Sequence, residues 1–159
     1  MTDENNVFYW LPCSVIFVST AHEGRHDIMT ATAMFVSEKE PLIAVSVAKG
    51  HLTEQLINQS NQFTLVIARE DQRQLAIKVG STKGEVADKF EEFSIPTLNE
   101  PAGQAPIPEG AAAWMVCNVE SSQDIKGYRI FIGRVTDQHD TGAPPLVWHK
   151  DKFLGLKPV

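Results

Sequence analysis

A lysine, a histidine and a threonine spaced through Lys49-Gly50-His51-Leu52-Thr53 are the residues of this chain best placed to hold an anion. The segment follows the apolar run 42–48 and leads into Glu54-Gln55-Leu56-Ile57, with Leu52, Leu56 and Ile57 at helical spacing. A cation and a hydroxyl thus stand where a helix N-terminus already favours negative charge. Upstream, Met29-Thr30-Ala31-Thr32 mixes small hydroxyl and apolar side chains, so its backbone N–H groups can approach a flat polar ligand closely. Together the two segments suit a planar, phosphorylated cofactor. Each also has a plainer reading: a strand edge whose threonines face water, a solvated strand-end lysine and a surface histidine on a first helical turn.

A second cluster, Gly80-Ser81-Thr82-Lys83-Gly84-Glu85 followed by Asp88-Lys89, offers hydroxyls and cations where glycines let the backbone fold back. Read as surface, it is a solvated turn with charges at a helix start. His22 and His26 flank Glu23, but Gly24 and a strand-like context remove the helix that a paired-histidine zinc motif needs, and no metal is expected. His139 follows a strand and reads either as a turn histidine or as a group beside a ligand's open face. There is no Ser-His-Asp order and no catalytic pair of carboxylates. No GxGxxG follows a strand, so a dinucleotide would not bind through a Rossmann crevice.

The elements that must position these residues are mostly strands. β-branched and aromatic runs predict strands over 15–19 and 28–36, joined through the polar turn 21–27, and over 42–48 after Pro41. Further strands are expected at 63–68, 114–120 and 128–137, the last two joined by the polar turn 121–127. Apolar spacing predicts helices over 51–59, 70–79 and 85–93, and residues 96–110 read as one long loop. Segments 147–148 and 153–156 close the chain. Strands with short helices between them favour a closed or partly closed antiparallel barrel.

With 159 residues, 43% hydrophobic and 21% charged, the chain reads as a single domain over 1–159 with a substantial core. A formal charge of −6 argues against nucleic acid as a partner. Cys13 and Cys117 fit no zinc or redox spacing and read as reduced thiols in apolar strands. The acidic start MTDENN differs from a signal peptide's basic one, and no apolar run approaches the ~20 residues of a membrane helix, so a cytoplasmic protein is expected.

Taken in order, these motifs resemble the flavin reductase-like (flavoredoxin-like) family, whose pattern runs Asn-x-Met-Thr-x-Ser, a Pro before an apolar strand, then Lys-x-x-x-Thr opening a helix. The matching residues are Asp27-Ile28-Met29-Thr30-Ala31-Thr32, Pro41, and Lys49 with Thr53. Ser81-Thr82-Lys83 and Asp88-Lys89-Phe90 are similar to the family's Ser-Gly-Arg and Asp-Lys-Phe at a longer spacing. Ile130 to Val135 is similar to its Gly-x-Val strand, and Pro145-Leu146-Val147 to its closing strand. The resemblance implies a mainly β (α+β) fold, a six-stranded antiparallel split barrel with short flanking helices, assembled as a homodimer. It implies FMN as cofactor and NADH or NADPH as donor, with hydride passing to the flavin and electrons on to an acceptor such as an electron-accepting protein. Under it Asp27, Ile28, Met29, Thr30, Ala31 and Thr32 lie along the ring. Ala48, Lys49, Gly50, His51 and Thr53 surround the phosphate, while Ser81, Lys83 and Lys89 add contacts nearby. His139 is the residue expected at the nicotinamide. Asp27 departs from the family's Asn, losing an amide donor and adding a charge. Two other readings stay open: an FMN-binding electron carrier without nicotinamide specificity, and a non-catalytic binding module on the same barrel.

Overall fold

The computed structural model describes residues 7–99 and 103–159. The polar start of the chain and part of the expected 96–110 loop lie outside the described residues. One helical turn, α1 (Val7–Trp10), and a short strand, β1 (Cys13–Ser14), lead into β2 (Ile16–His22) and β3 (Arg25–Ala31). The β2–β3 hairpin is tighter than expected. Its turn residues Glu23 and Gly24 both have positive φ, 47° and 79°, the backbone hand that matches twisted strands. β4 (Ala33–Phe35) continues β3 beyond Thr32, and β5 (Leu42–Ala48) runs back beside it. Next come α2 (Leu52–Ser60), β6 (Gln62–Ile67), α3 (Arg73–Gly80) and α4 (Lys89–Glu92). A long hairpin, β7 (Ala113–Ile125) and β8 (Tyr128–Asp140), precedes β9 (Val147–His149) and β10 (Lys152–Leu154).

The main sheet is antiparallel, with strand order β3-β2-β6-β7-β8-β5-β4. Its two edges, β3 and β4, are successive pieces of one strand interrupted at Thr32. The chain itself therefore joins the edges, and a sheet of seven named strands curls into a barrel of six, leaving little edge exposed. A second sheet, β1-β9-β10, was not expected from the sequence.

β2 is buried on both faces, which explains why it reads as a continuous apolar run. Ile16 and Val18 pack with Val45, Phe63, Leu65 and Phe131 inside the barrel. Val15 and Phe17 face outward, against Ala76 and Val79 of α3, Phe90 of α4 and Ile107. Inside, Gly133 lets β8 close over its neighbours, because a Cβ there would lie 2.6 Å from Phe63 Cζ.

Three expectations need correction. The helix expected over 85–93 is only the single turn α4, because residues 84–86 form a turn and Asp88 starts the helix. Residues 121–125 are strand, since both faces of the distal β7–β8 hairpin meet water and no alternation marks them. Gly80 and Gly84 do not adopt positive φ; each lies close to another side chain, Thr30 and Asp27 respectively.

Candidate functional site

Thr32 is where one strand changes partners. β3 pairs with β2 as far as Ile16↔Ala31, and β4 pairs with β5 from Ala33↔Val45, so Thr32 belongs to neither ladder. A groove of about 710 Å³ opens at this crossing. Met29, Thr30, Ala31 and Thr32 line it from the barrel, with Ser46 and Ala48 of β5 and Tyr128 of β8. Phe8, Val15, Trp148 and Phe153 complete it, and the Phe8 ring stacks on Trp148 with centroids 4.3 Å apart and planes at 21°. Volume and apolar lining fall in the range of small-molecule sites, roughly 300–1,000 Å³.

A smaller polar compartment of about 220 Å³ adjoins it, lined in part by Asp27, His51, Thr53, Ser81, Lys83 and Lys89. Met29 and Thr30 line both spaces, so groove and compartment meet at the end of β3. The compartment's floor is a buried ion pair. Asp27 and Lys89 are each 4% exposed, with Lys89 Nζ 3.5 Å from Asp27 Oδ1 and donating to the Ile28 carbonyl at 2.6 Å. Thr53 Oγ1 donates to Asp27 Oδ2 at 2.6 Å. Removing one member of such a buried pair typically costs about 3–5 kcal/mol, because the other charge is left without compensation. Gly84 presses on this carboxylate so closely that any Cβ would collide with it.

The 80–88 loop that walls the compartment is anchored at both ends. Ser81 Oγ donates to the Ile77 carbonyl at 2.8 Å. Asp88 Oδ1 accepts from the Phe90 N–H at 3.0 Å, and Asp88 Oδ2 lies 2.8 Å from His26 Nε2. Burial alone would push the Asp88 carboxyl up, but the hydrogen bonds from His26 and from the Glu91 and Phe90 N–H groups hold it below its ordinary value. Among the described residues, the Lys83 ammonium and the His51 ring have no hydrogen-bond or ion-pair partner, so both remain available to a ligand.

Four of the sequence-derived site residues are not brought here. Ile28 is fully buried in the core, and only its carbonyl contributes, to Lys89. Lys49 lines neither space: its Nζ lies 3.0 Å from Asp124 Oδ2. Gly50 donates its N–H to Glu54 Oε2 at 3.3 Å. Arg129 joins the same network, 2.6 Å from Asp124 and 3.1 Å from Glu54, and hydrogen bonds from Arg129 and Lys49 hold the Asp124 carboxyl far below the usual carboxylate range. His139 lies against Trp114, ring centroids 5.7 Å apart, in a separate cleft of about 260 Å³ with Leu98 and Pro108. Thr30 lines the groove, but its hydroxyl is spent on the Ala76 carbonyl at 2.6 Å. Conversely, Phe8, Tyr128, Trp148 and Phe153 line the groove without having been singled out from the sequence. Aromatic residues near both ends of the chain were the available signal. Among the described residues, no helix is long and apolar enough to cross a membrane.

A curled antiparallel sheet closed by one interrupted strand, with short flanking helices, places the protein among mainly β split-barrel domains. More narrowly, the chain belongs to the flavin reductase-like family: the model of the flavin reductase like domain matches residues 8–157. The high molecular weight rubredoxin of Moorella thermoacetica is 30% identical over 125 residues, 77% of this chain and 54% of the relative. The chain spans about half the length of the curated relatives it matches. Among solved structures, the flavin reductase PheA2 has a TM-score of 0.82 at 25% identity, covering 99% of this chain and 100% of its own. The NADH:FAD oxidoreductase of Streptomyces globisporus C-1027 shares the fold with a TM-score of 0.86 at 20% identity, covering 99% and 98%.

Proposed function

We propose that this chain is an NAD(P)H-dependent flavin reductase that binds FMN, acts as a homodimer and hands electrons to an acceptor. The observation that carries this reading is the meeting of a largely apolar groove with a small polar compartment along one strand end. The groove suits the isoalloxazine, with the backbone of Ala31 and Thr32 beside its polar edge and Tyr128 and Trp148 among its aromatic walls. The compartment, at about 220 Å³, has room for the ribityl end and one phosphate, with Lys83, His51 and Ser81 near it. In this reading Asp27, Thr53 and Lys89 do not touch the ring; they fix the end of β3 that does. When bound, the flavin supplies the hydride-accepting chemistry. The chain's own part is to hold the ring in place, exclude water through its aromatic walls and leave one face open to the nicotinamide.

Anaerobic titration of the FMN-loaded protein with NADH and with NADPH tests the proposal. Bleaching of the flavin absorbance by either donor supports a reductase. Bound flavin that neither donor bleaches points to the electron carrier, and absence of flavin binding to the non-catalytic module.

A further inference from the structure

The charges around the polar compartment bear on which flavins the chain accepts. Histidine aside, two ammonium groups, Lys83 and Lys89, and two carboxylates, Asp27 and Glu85, line it, so their formal charges cancel. Lys89 is already engaged by Asp27 and the Ile28 carbonyl, and Lys49 is turned away to Asp124. The N-terminus of α2 attracts anions, and Glu54 in its first turn is already paired with Arg129 at 3.1 Å, which leaves the four lining charges to set the balance. Asp27 cannot swing aside, being held by Thr53 and covered by Gly84.

We propose that Asp27 determines specificity by cancelling the compartment's positive charge, so that the chain takes riboflavin, which lacks the phosphate, about as readily as FMN. The proposal rests on the flavin reading above. At an effective dielectric of about 20, one fixed charge within roughly 7 Å changes a dianion's affinity by tenfold or more. Removing that charge should therefore be visible.

Fluorescence titration of the full chain with FMN and with riboflavin provides the test. The two dissociation constants of the parent are expected to agree within about tenfold. Asp27→Asn keeps an oxygen to accept from Thr53 and should shift the ratio toward FMN by about tenfold or more. Glu85→Gln, on the exposed loop, should shift it the same way by a smaller factor, and it carries the test if Asp27→Asn does not fold. A parent preference for FMN beyond about tenfold, or a ratio that no folded variant moves, overturns the proposal. If neither flavin binds, the flavin reading itself falls and this proposal with it.

Discussion

Two cations near the helix start have opposite fates, and their substitutions should differ accordingly. Lys49 is bound to Asp124, whereas Lys83 faces the polar compartment without a protein partner among the described residues. Lys49→Ala should leave FMN affinity within about twofold of the parent, since exposed pairs contribute little. Lys83→Ala should weaken FMN by about tenfold and riboflavin hardly at all, as expected for a lost charge-assisted contact. Fluorescence quenching with both flavins measures this, and a larger loss in Lys49→Ala would return that lysine to the phosphate. His139 is separated from the groove by its place against Trp114. Stopped-flow reduction of His139→Ala should match the parent with NADH and with NADPH, and a slowed rate would bring His139 back to the nicotinamide. Residue types and order single out Met29, Thr30, Ala31, Thr32, Ala48, His51, Ser81 and Lys83, each of which lines the groove or the compartment. They were not enough to show that Lys49 has a nearer carboxylate, because Asp124 is 75 residues away in the chain.

At the scale of elements, α4 and the loop before it depend on one carboxylate. Asp88 caps α4 through the Phe90 and Glu91 N–H groups and holds His26 on β3. Asp88→Ala should lower stability by about 1 kcal/mol, the usual cost of a lost N-cap, whereas Asp88→Asn keeps most of the cap. Because the folded Asp88 carboxyl is held below its unfolded value, its contribution is complete above pH about 4 and disappears as pH falls through the lowered folded value. Urea titrations of parent and Asp88→Ala should therefore converge toward acid, and a constant gap would show that the charge contributes nothing. This element was only partly legible. Val86, Phe90 and Phe93 fall at helical spacing, yet Val86 is 80% exposed and the helix forms only after the cap. β2 and β6 were easier to read, since their apolar runs coincide with burial on both faces. The polar end of β7 was not, because exposed strand and polar loop share a composition.

For the whole molecule, a homodimer needs an apolar surface, and the Pro-rich, apolar stretch 96–114 is one place the sequence offers for it. Of the described residues there, Ala105, Ile107, Ala111 and Ala112 are instead buried within their own chain. The apolar surface lies elsewhere: Met34 and Phe35 on β4, followed by Val36, are 67%, 63% and 46% exposed. Exposed apolar groups in a row on a strand favour association. Light scattering of the FMN-loaded protein should give a homodimer, and Phe35→Glu should shift it toward monomer. A monomeric parent at micromolar concentration would remove the dimer from the proposal. The strand interrupted at Thr32 also has a kinetic consequence. Its two halves pair with β2 and β5, near neighbours in the chain, whereas the β5–β8 ladder joins residues as distant as Leu42 and Arg134. Local pairings close at little entropic cost and distant ones late, so the barrel should shut through β5 and β8 after both hairpins have formed. Val45→Ala, facing Phe131 across that last seam, should speed unfolding while hardly slowing refolding, and a chevron with the effect on its folding limb would place closure first.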